Sequence, residues 1–248
     1  EAIELFEYIC DQPISAHKNG YHDYYICKYN LATAYRSDNQ PTRAISLLEE
    51  ICEESKQLIG SYNEKRFTFR TRLANWYLED RNFTKAIELI SALHEDSGRA
   101  FGKDSKKTLE YEHMLAFAHA GQGDFHSALP FIKHAYNSRL STLGPSDPAT
   151  LESKYNLAYT LLRLNDSDRA IPLLVEALDD PHLNTDELTD MQLNLAWAYL
   201  TQNNFVDALK TFRKARKTCL QDPVAYAEKL NYADQQISHL RSLLQQSH

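Results

Sequence analysis

The chain has 248 residues, 43% of them hydrophobic, and its 27 basic and 34 acidic side chains leave a net charge of −7. That apolar share excludes a disordered chain, and the acidic balance argues against nucleic acid or an anionic membrane as the main partner. The 7 glycines are too few for a fold of many tight turns or phosphate-cradling loops. Cys10, Cys27, Cys52 and Cys219 stand at unrelated spacings with no CxxC pair, so a reducing, cytoplasmic setting is expected rather than a disulfide framework. No apolar run approaches the ~18 residues of a membrane span.

In chain order, residues 1–12 come first. Ala2 stands 42 residues before Ala44 and Phe6 stands 42 before Leu48, so this segment reads as the second helix of a repeat whose first helix is absent. With no initiating Met, the chain is expected to be part of a longer protein. Five helical hairpins follow, around 22–56, 64–98, 106–140, 148–180 and 186–220, completing a repeat array over 1–222. Their Leu-Ala pairs begin at Leu31, Leu73, Leu115, Leu157 and Leu195, in steps of 42, 42, 42 and 38. Twelve residues after each Ala comes another: Ala44, Ala86, Ala128, Ala170 and Ala208. The Leu is expected to point inward from a first helix, and the two alanines to be small where the second helix crosses it closely. Leu48, Ile90, Ile132, Leu174 and Phe212 continue the second helices four residues beyond that Ala. Over 223–248, Tyr226, Leu230, Ala233, Ile237, Leu240 and Leu244 form the apolar stripe of a capping helix, with Lys229, Asp234, Gln235, His239 and Arg241 opposite. About twelve helices and no sheet are expected.

Leu31-Ala32-x-x-Tyr35 with Ala44, Leu73-Ala74-x-x-Tyr77 with Ala86, and Leu195-Ala196-x-x-Tyr199 with Ala208-x-x-x-Phe212 resemble the tetratricopeptide repeat consensus. The resemblance implies an all-α, right-handed superhelical solenoid of helix-turn-helix repeats. The usual Trp is missing, and its place holds Lys28, Arg70, Glu112, Lys154 and Gln192. The 42-residue period is longer than the usual ~34 and resembles the kinesin light chain subtype. Leu143-Gly144-Pro145-Ser146-Asp147-Pro148 before Asn156-Leu157-Ala158 matches the link of that subtype, and Ile59-Gly60 and Phe101-Gly102 occupy the same slot with the Pro lost.

Catalytic motifs are absent: the sequence has no HExxH, P-loop, GxGxxG or GxSxG. His113, His119 and His126 are spaced six and seven apart, which does not place them on one helical turn, so no metal site and no cofactor are expected. Cys27 and Cys52 read as small hydrophobes in packed helices. Acidic pairs such as Glu49-Glu50 read as solvated faces.

A binding groove is the remaining expectation. In such solenoids the first helices line the concave side, and residues flanking the Leu point into it. That projection, with Arg163 one turn further along, selects Tyr29, Asn30, Asn75, His113, Phe117, Tyr155, Asn156, Tyr159, Arg163, Asn194 and Trp197 as peptide-binding candidates. Asn precedes the Leu at Asn30, Asn156 and Asn194. The resemblance implies that these amides bond a peptide backbone, since an amide supplies both donor and acceptor; bonding inside the hairpin is the alternative. Phe117, Tyr155, Tyr159 and Trp197 suit apolar anchors or packing between hairpins. The Lys-rich carboxylate clamp of co-chaperones has no counterpart. The expected function is a non-enzymatic protein- or peptide-binding module, the sensor or recruiting arm of a multidomain signalling protein. The alternatives are a scaffold that self-associates through its open N-terminal repeat, or the regulatory repeats of an enzyme whose catalytic domain lies elsewhere.

Overall fold

The computed structural model describes residues 2–17, 20–58, 64–180 and 183–246, and all regular structure among them is helical. The chain forms two compact units, residues 1–122 and 123–248. In the first, α1 (Ala2–Cys10) and a short 3-10 turn (Ile14–Ala16) precede α2 (Tyr21–Ser37), α3 (Pro41–Leu58), α4 (Glu64–Glu79), α5 (Phe83–Phe101) and α6 (Lys106–Gly121). In the second, α7 (Phe125–Leu143), α8 (Pro148–Arg163), α9 (Ser167–Ala177), α10 (Thr185–Thr201) and α11 (Phe205–Cys219) lead to α12 (Ala227–Gln246). Within each unit every helix packs on the next in sequence, and in the second unit α8 also touches α10.

The turns show why the hairpins form where they do. Asn39, Arg81, Gly123, Asn165 and Asn203 each stand eight residues after the inward Leu, and all five have a left-handed backbone, with φ between 56° and 82°. That conformation ends a helix; Gly adopts it without strain and Asn tolerates it, while Arg is sterically strained there. The next residue closes the turn, as Asn82 N–H bonds Tyr77 C=O and Asp166 N–H bonds Leu161 C=O, at 2.8 and 2.9 Å. Side-chain oxygens of Asn82, Asp124, Asp166 and Asn204 then cap α5, α7, α9 and α11. Gly102 and Gly144 close α5 and α7 at φ 94° and 88°; the related Ile59-Gly60 slot lies outside the described residues.

Ala44, Ala86, Ala128, Ala170 and Ala208 have no exposed surface, nor do Ala32, Ala74, Ala158 and Ala196. A larger side chain at these crossings would force the helices apart. The slot where the consensus has Trp is filled by buried polar groups that reach a neighbouring helix. Lys28 Nζ meets Glu50 and Glu54 on α3, Arg70 Nη1 lies 2.6 Å from Asp96 on α5, and Glu112 meets His94 on α5. Lys154 Nζ meets Glu176 on α9 at 3.0 Å, and Thr218 on α11 donates to Gln192. In each of the five hairpins a buried polar side chain therefore occupies the register of an apolar ring and bonds a partner on a neighbouring helix, while the carboxylates of Glu50, Glu54 and Glu176 stay exposed to solvent. In the second unit α12 covers α11 with Ala233, Ile237 and Leu240 fully or almost fully buried beside Phe212, and Leu244 packs against them.

Candidate functional site

In the second unit, α8, α10 and α12 enclose a cleft of about 560 Å³ lined by Tyr159, Leu162, Arg163, Asn165, Leu193, Asn194, Trp197 and Tyr232. The helical period puts them there. Tyr159 and Trp197 stand two residues after the inward Leu157 and Leu195, which turns them roughly 200° from the core-facing direction. Tyr159 and Tyr232 keep 36% and 38% of their surface exposed, so aromatic area remains available to a ligand.

These side chains are held from behind. The ring of Phe125, itself buried, meets Tyr159 edge-on at 6.2 Å and carries the Arg163 guanidinium 4.9 Å from its centroid. Phe212 meets Tyr232 edge-on at 6.0 Å. Asn194 Nδ2 donates to the Tyr155 hydroxyl at 2.9 Å, tying α10 to α8. Burial, reinforced by the charge of Asp190, pushes the Tyr155 phenol up to about 12, so it stays neutral as a hydrogen-bonding group. Lys229 on α12 is engaged by Asp186 and Asp190 at 2.6 Å each. Among the described residues that line the cleft, Arg163 alone is charged.

In the first unit a smaller cleft of about 280 Å³ is lined by Tyr29, Phe67, Thr68, Thr71, Arg72, Asn75, Lys107, Glu110 and Tyr111. Arg72 Nε donates to the Tyr29 hydroxyl at 3.0 Å, and the Thr71 and Tyr111 hydroxyls are 2.8 Å apart. Lys107 Nζ lies 4.7 Å from the Phe67 ring centroid. This surface is more polar and its aromatics are mostly engaged with one another: Phe67 stacks on Tyr111 and lies beside Phe101.

The residues selected from the sequence divide between the units. Tyr159, Arg163, Asn194 and Trp197 come together in the larger cleft, and Tyr29 and Asn75 line the smaller one. Tyr155 and Asn156 are half-buried on α8, with Tyr155 serving Asn194. Asn30 is exposed on α2, and His113 and Phe117 are exposed on α6, Phe117 by 56%. Phe117 belongs to the first unit and the other candidate aromatics of its series to the second. Asn194 gives one of its two amide hydrogens to Tyr155 on another hairpin rather than to a partner inside its own. Sequence reasoning misses Tyr232: it adjoins Ala233 just off the apolar stripe of α12, and an aromatic in that position is the signal that marks it. Phe67 and Tyr111 lie a turn or more before Leu73 and Leu115, beyond the projected window.

Among the described residues no group of three or more His, Cys, Asp or Glu side chains is placed to hold a metal ion. Among them, too, no helix is long and apolar enough to cross a membrane. What the larger cleft offers chemically is aromatic surface, two amides and a guanidinium.

Tetratricopeptide repeat profiles match residues 66–141, 112–180 and 155–223. No curated protein matches the chain. Among solved structures, the nearly identical TPR-like repeats of a Podosopora anserina protein assigned to the kinesin light chains share 20% identity over 79% of this chain and 95% of theirs, with a TM-score of 0.65. BtubC (BKLC) from P. vanneervenii shares 18% over 89% and 92%, TM-score 0.66. YrrB, a TPR protein described as having an unusual peptide-binding site, shares 18% over 88% and 98%, TM-score 0.58. At these identities the likeness is one of fold.

Proposed function

Because the chain belongs to the tetratricopeptide repeat family, whose proteins bind peptides or other proteins, we propose that it holds an extended peptide or protein segment in the cleft between α8, α10 and α12. The observation that carries this reading is the convergence of Tyr159, Trp197 and Tyr232 with Asn194 and Arg163 in one cleft, backed by the buried rings of Phe125 and Phe212. Apolar anchors of the ligand rest on the aromatics, and its backbone bonds Asn194. Rigid aromatic groups supply contact area at low entropic cost. The 42-residue period and the Leu143–Pro148 link favour the kinesin light chain subtype, and the description of YrrB supports peptide holding as the mode. The module then recruits partners in a cytoplasmic signalling assembly and performs no catalysis itself, in keeping with a sequence that lacks nucleotide-binding and hydrolase motifs.

The test is to select peptides on the folded chain from a random library. The best is then titrated against wild type and against Tyr159→Ala, Asn194→Ala, Trp197→Ala combined. Each aromatic is expected to contribute about 2 kcal/mol or more, so the triple variant, with unchanged helicity, should lose binding by roughly 1000-fold. A folded triple variant that binds at full affinity removes the cleft as the site.

One observation favours self-association as a second role. Helix α1 buries none of its described residues, and Leu5 and Tyr8 are 59% and 66% exposed on it. Sedimentation of wild type against Leu5→Glu, Tyr8→Glu decides it: a dimer that the variant loses supports the role, and a monomer for both rejects it.

A further inference from the structure

The sequence places Cys10 and Cys27 in separate helices, and the fold brings their sulfurs to 2.9 Å. That is well inside the contact distance of two unbonded sulfurs and less than an ångström beyond the about 2.05 Å of a disulfide. The two thiols join α1 to α2 across 17 residues of chain. Around them α1 is lightly held. None of its described residues is buried. Its polar ties include Cys27 Sγ to the Phe6 carbonyl at 3.8 Å, and Glu7, which accepts from the Tyr35 hydroxyl and from Arg43 Nη2, the latter at 2.9 Å. Cys52 and Cys219 stand on α3 and α11, and Cys219 belongs to the other unit.

We propose that Cys10 and Cys27 are a modification site, a dithiol that a low-molecular-weight disulfide such as oxidised glutathione converts into a covalent clamp of α1 on α2. Cys10 is the entry point, because it keeps part of its surface exposed while Cys27 is buried. Its thiolate attacks one sulfur of oxidised glutathione, forming a mixed disulfide and releasing one glutathione thiolate. The Cys27 thiolate then attacks the Cys10 sulfur of that mixed disulfide and expels the second. Two protein thiols are oxidised to one disulfide, one glutathione disulfide is reduced to two thiols, and both protons end on glutathione. Burial pushes the Cys10 thiol up to about 12, which keeps the thiolate scarce and the exchange slow at neutral pH.

The consequence is local. A cross-link spanning a short loop constrains chiefly the opened state, so oxidation holds α1 against α2, where Tyr35 already meets Glu7. In the reduced protein α1 opens more readily, as an element with few buried contacts does.

The experiment incubates the whole chain overnight with oxidised glutathione, then counts thiols in denaturant and maps peptides without reductant. The expected result is a fall from four titratable cysteines to two, a linked pair of peptides carrying Cys10 and Cys27, and slower amide exchange across α1, all reversed by dithiothreitol. Cys219→Ser should keep the response, and Cys10→Ser should lose it. Four remaining thiols, separate glutathione adducts on each cysteine, or unchanged exchange in α1 after linkage would each overturn the proposal. The peptide map on wild type decides the linkage even if Cys10→Ser folds poorly.

Discussion

Asn194 and Tyr155 lie on different repeats, 39 residues apart, and the amide of one donates to the hydroxyl of the other at 2.9 Å. The bond fixes a side chain of the cleft wall while engaging one of its two donor hydrogens. An amide retains a second hydrogen and an acceptor oxygen after such a bond. The same residue thus joins two repeats and remains equipped to meet a peptide.

Tyr155→Phe removes only the hydroxyl and should lower stability by about 1 kcal/mol, the net worth of a partly buried hydrogen bond. Asn194→Ala should cost a similar amount, and the double variant should cost no more than the larger single one plus a few tenths. Urea melts of the four proteins measure this coupling. Full additivity would show that the bond is not formed in solution.

Arg81 holds φ 56° in a turn where the equivalent positions are Asn or Gly. A side chain with a Cβ is disfavoured by roughly 1–2 kcal/mol in that conformation. Arg81→Gly should therefore stabilise the protein by up to about 1 kcal/mol, after allowing for the added freedom of Gly in the unfolded chain. A loss of stability in thermal melts would mean that Arg81 makes contacts worth more than the strain it carries.

Arg70 is 7% exposed and bonded to Asp96 at 2.6 Å. Arg70→Ala leaves the carboxylate without that partner and opens a cavity, so a cost of about 2–4 kcal/mol is expected. Arg70→Met with Asp96→Leu replaces the pair by apolar volume and should recover most of that loss. Equal destabilisation by both would indicate that the polar slot determines the crossing geometry as well as its energy.

Acid should act partly through Asp80. The hydrogen bond from Arg36, aided by the charge of its guanidinium, holds the Asp80 carboxyl below the usual carboxylate range. The folded state therefore binds this proton less readily than the unfolded chain, whose Asp titrates near about 3.9. The stabilisation is complete above that value and disappears as pH falls through the lower folded one. The melting-temperature gap between wild type and Arg36→Gln should thus be constant from about pH 7 to 5 and shrink below about pH 4. A gap that is unchanged at low pH would remove Asp80 from the account of acid sensitivity.

The repeat register is legible in the sequence because small residues at helix crossings admit few alternatives. Ala44, Ala86, Ala128, Ala170 and Ala208 recur at fixed distance from the Leu, and each is wholly buried. Tyr159, Asn194 and Trp197 are legible for the same reason, since helical period alone turns them away from the core. Tyr232 is not, because its place depends on how α12 docks on α11. The ion pairs of the buried Lys28, Arg70 and Lys154 are hidden as well. A charge in a packed slot shows itself only when its partner, 22 to 26 residues away, is brought opposite. The 2.9 Å approach of Cys10 to Cys27 is tertiary in the same sense, with no spacing that announces it.

The cleft carries its own probe. The chain has two tryptophans, Trp76 at 3% exposure in the first unit and Trp197 in the cleft of the second. Trp76→Phe leaves Trp197 as the single reporter. Titrating that variant with a peptide selected on the wild-type chain should shift or quench Trp197 emission along the same saturation curve that calorimetry gives for binding. Tyr159→Ala in that background should weaken both together by roughly 30-fold or more. Calorimetric binding at full affinity with no change in Trp197 emission, and no effect of Tyr159→Ala, would place the ligand elsewhere and contradict the cleft as the functional site.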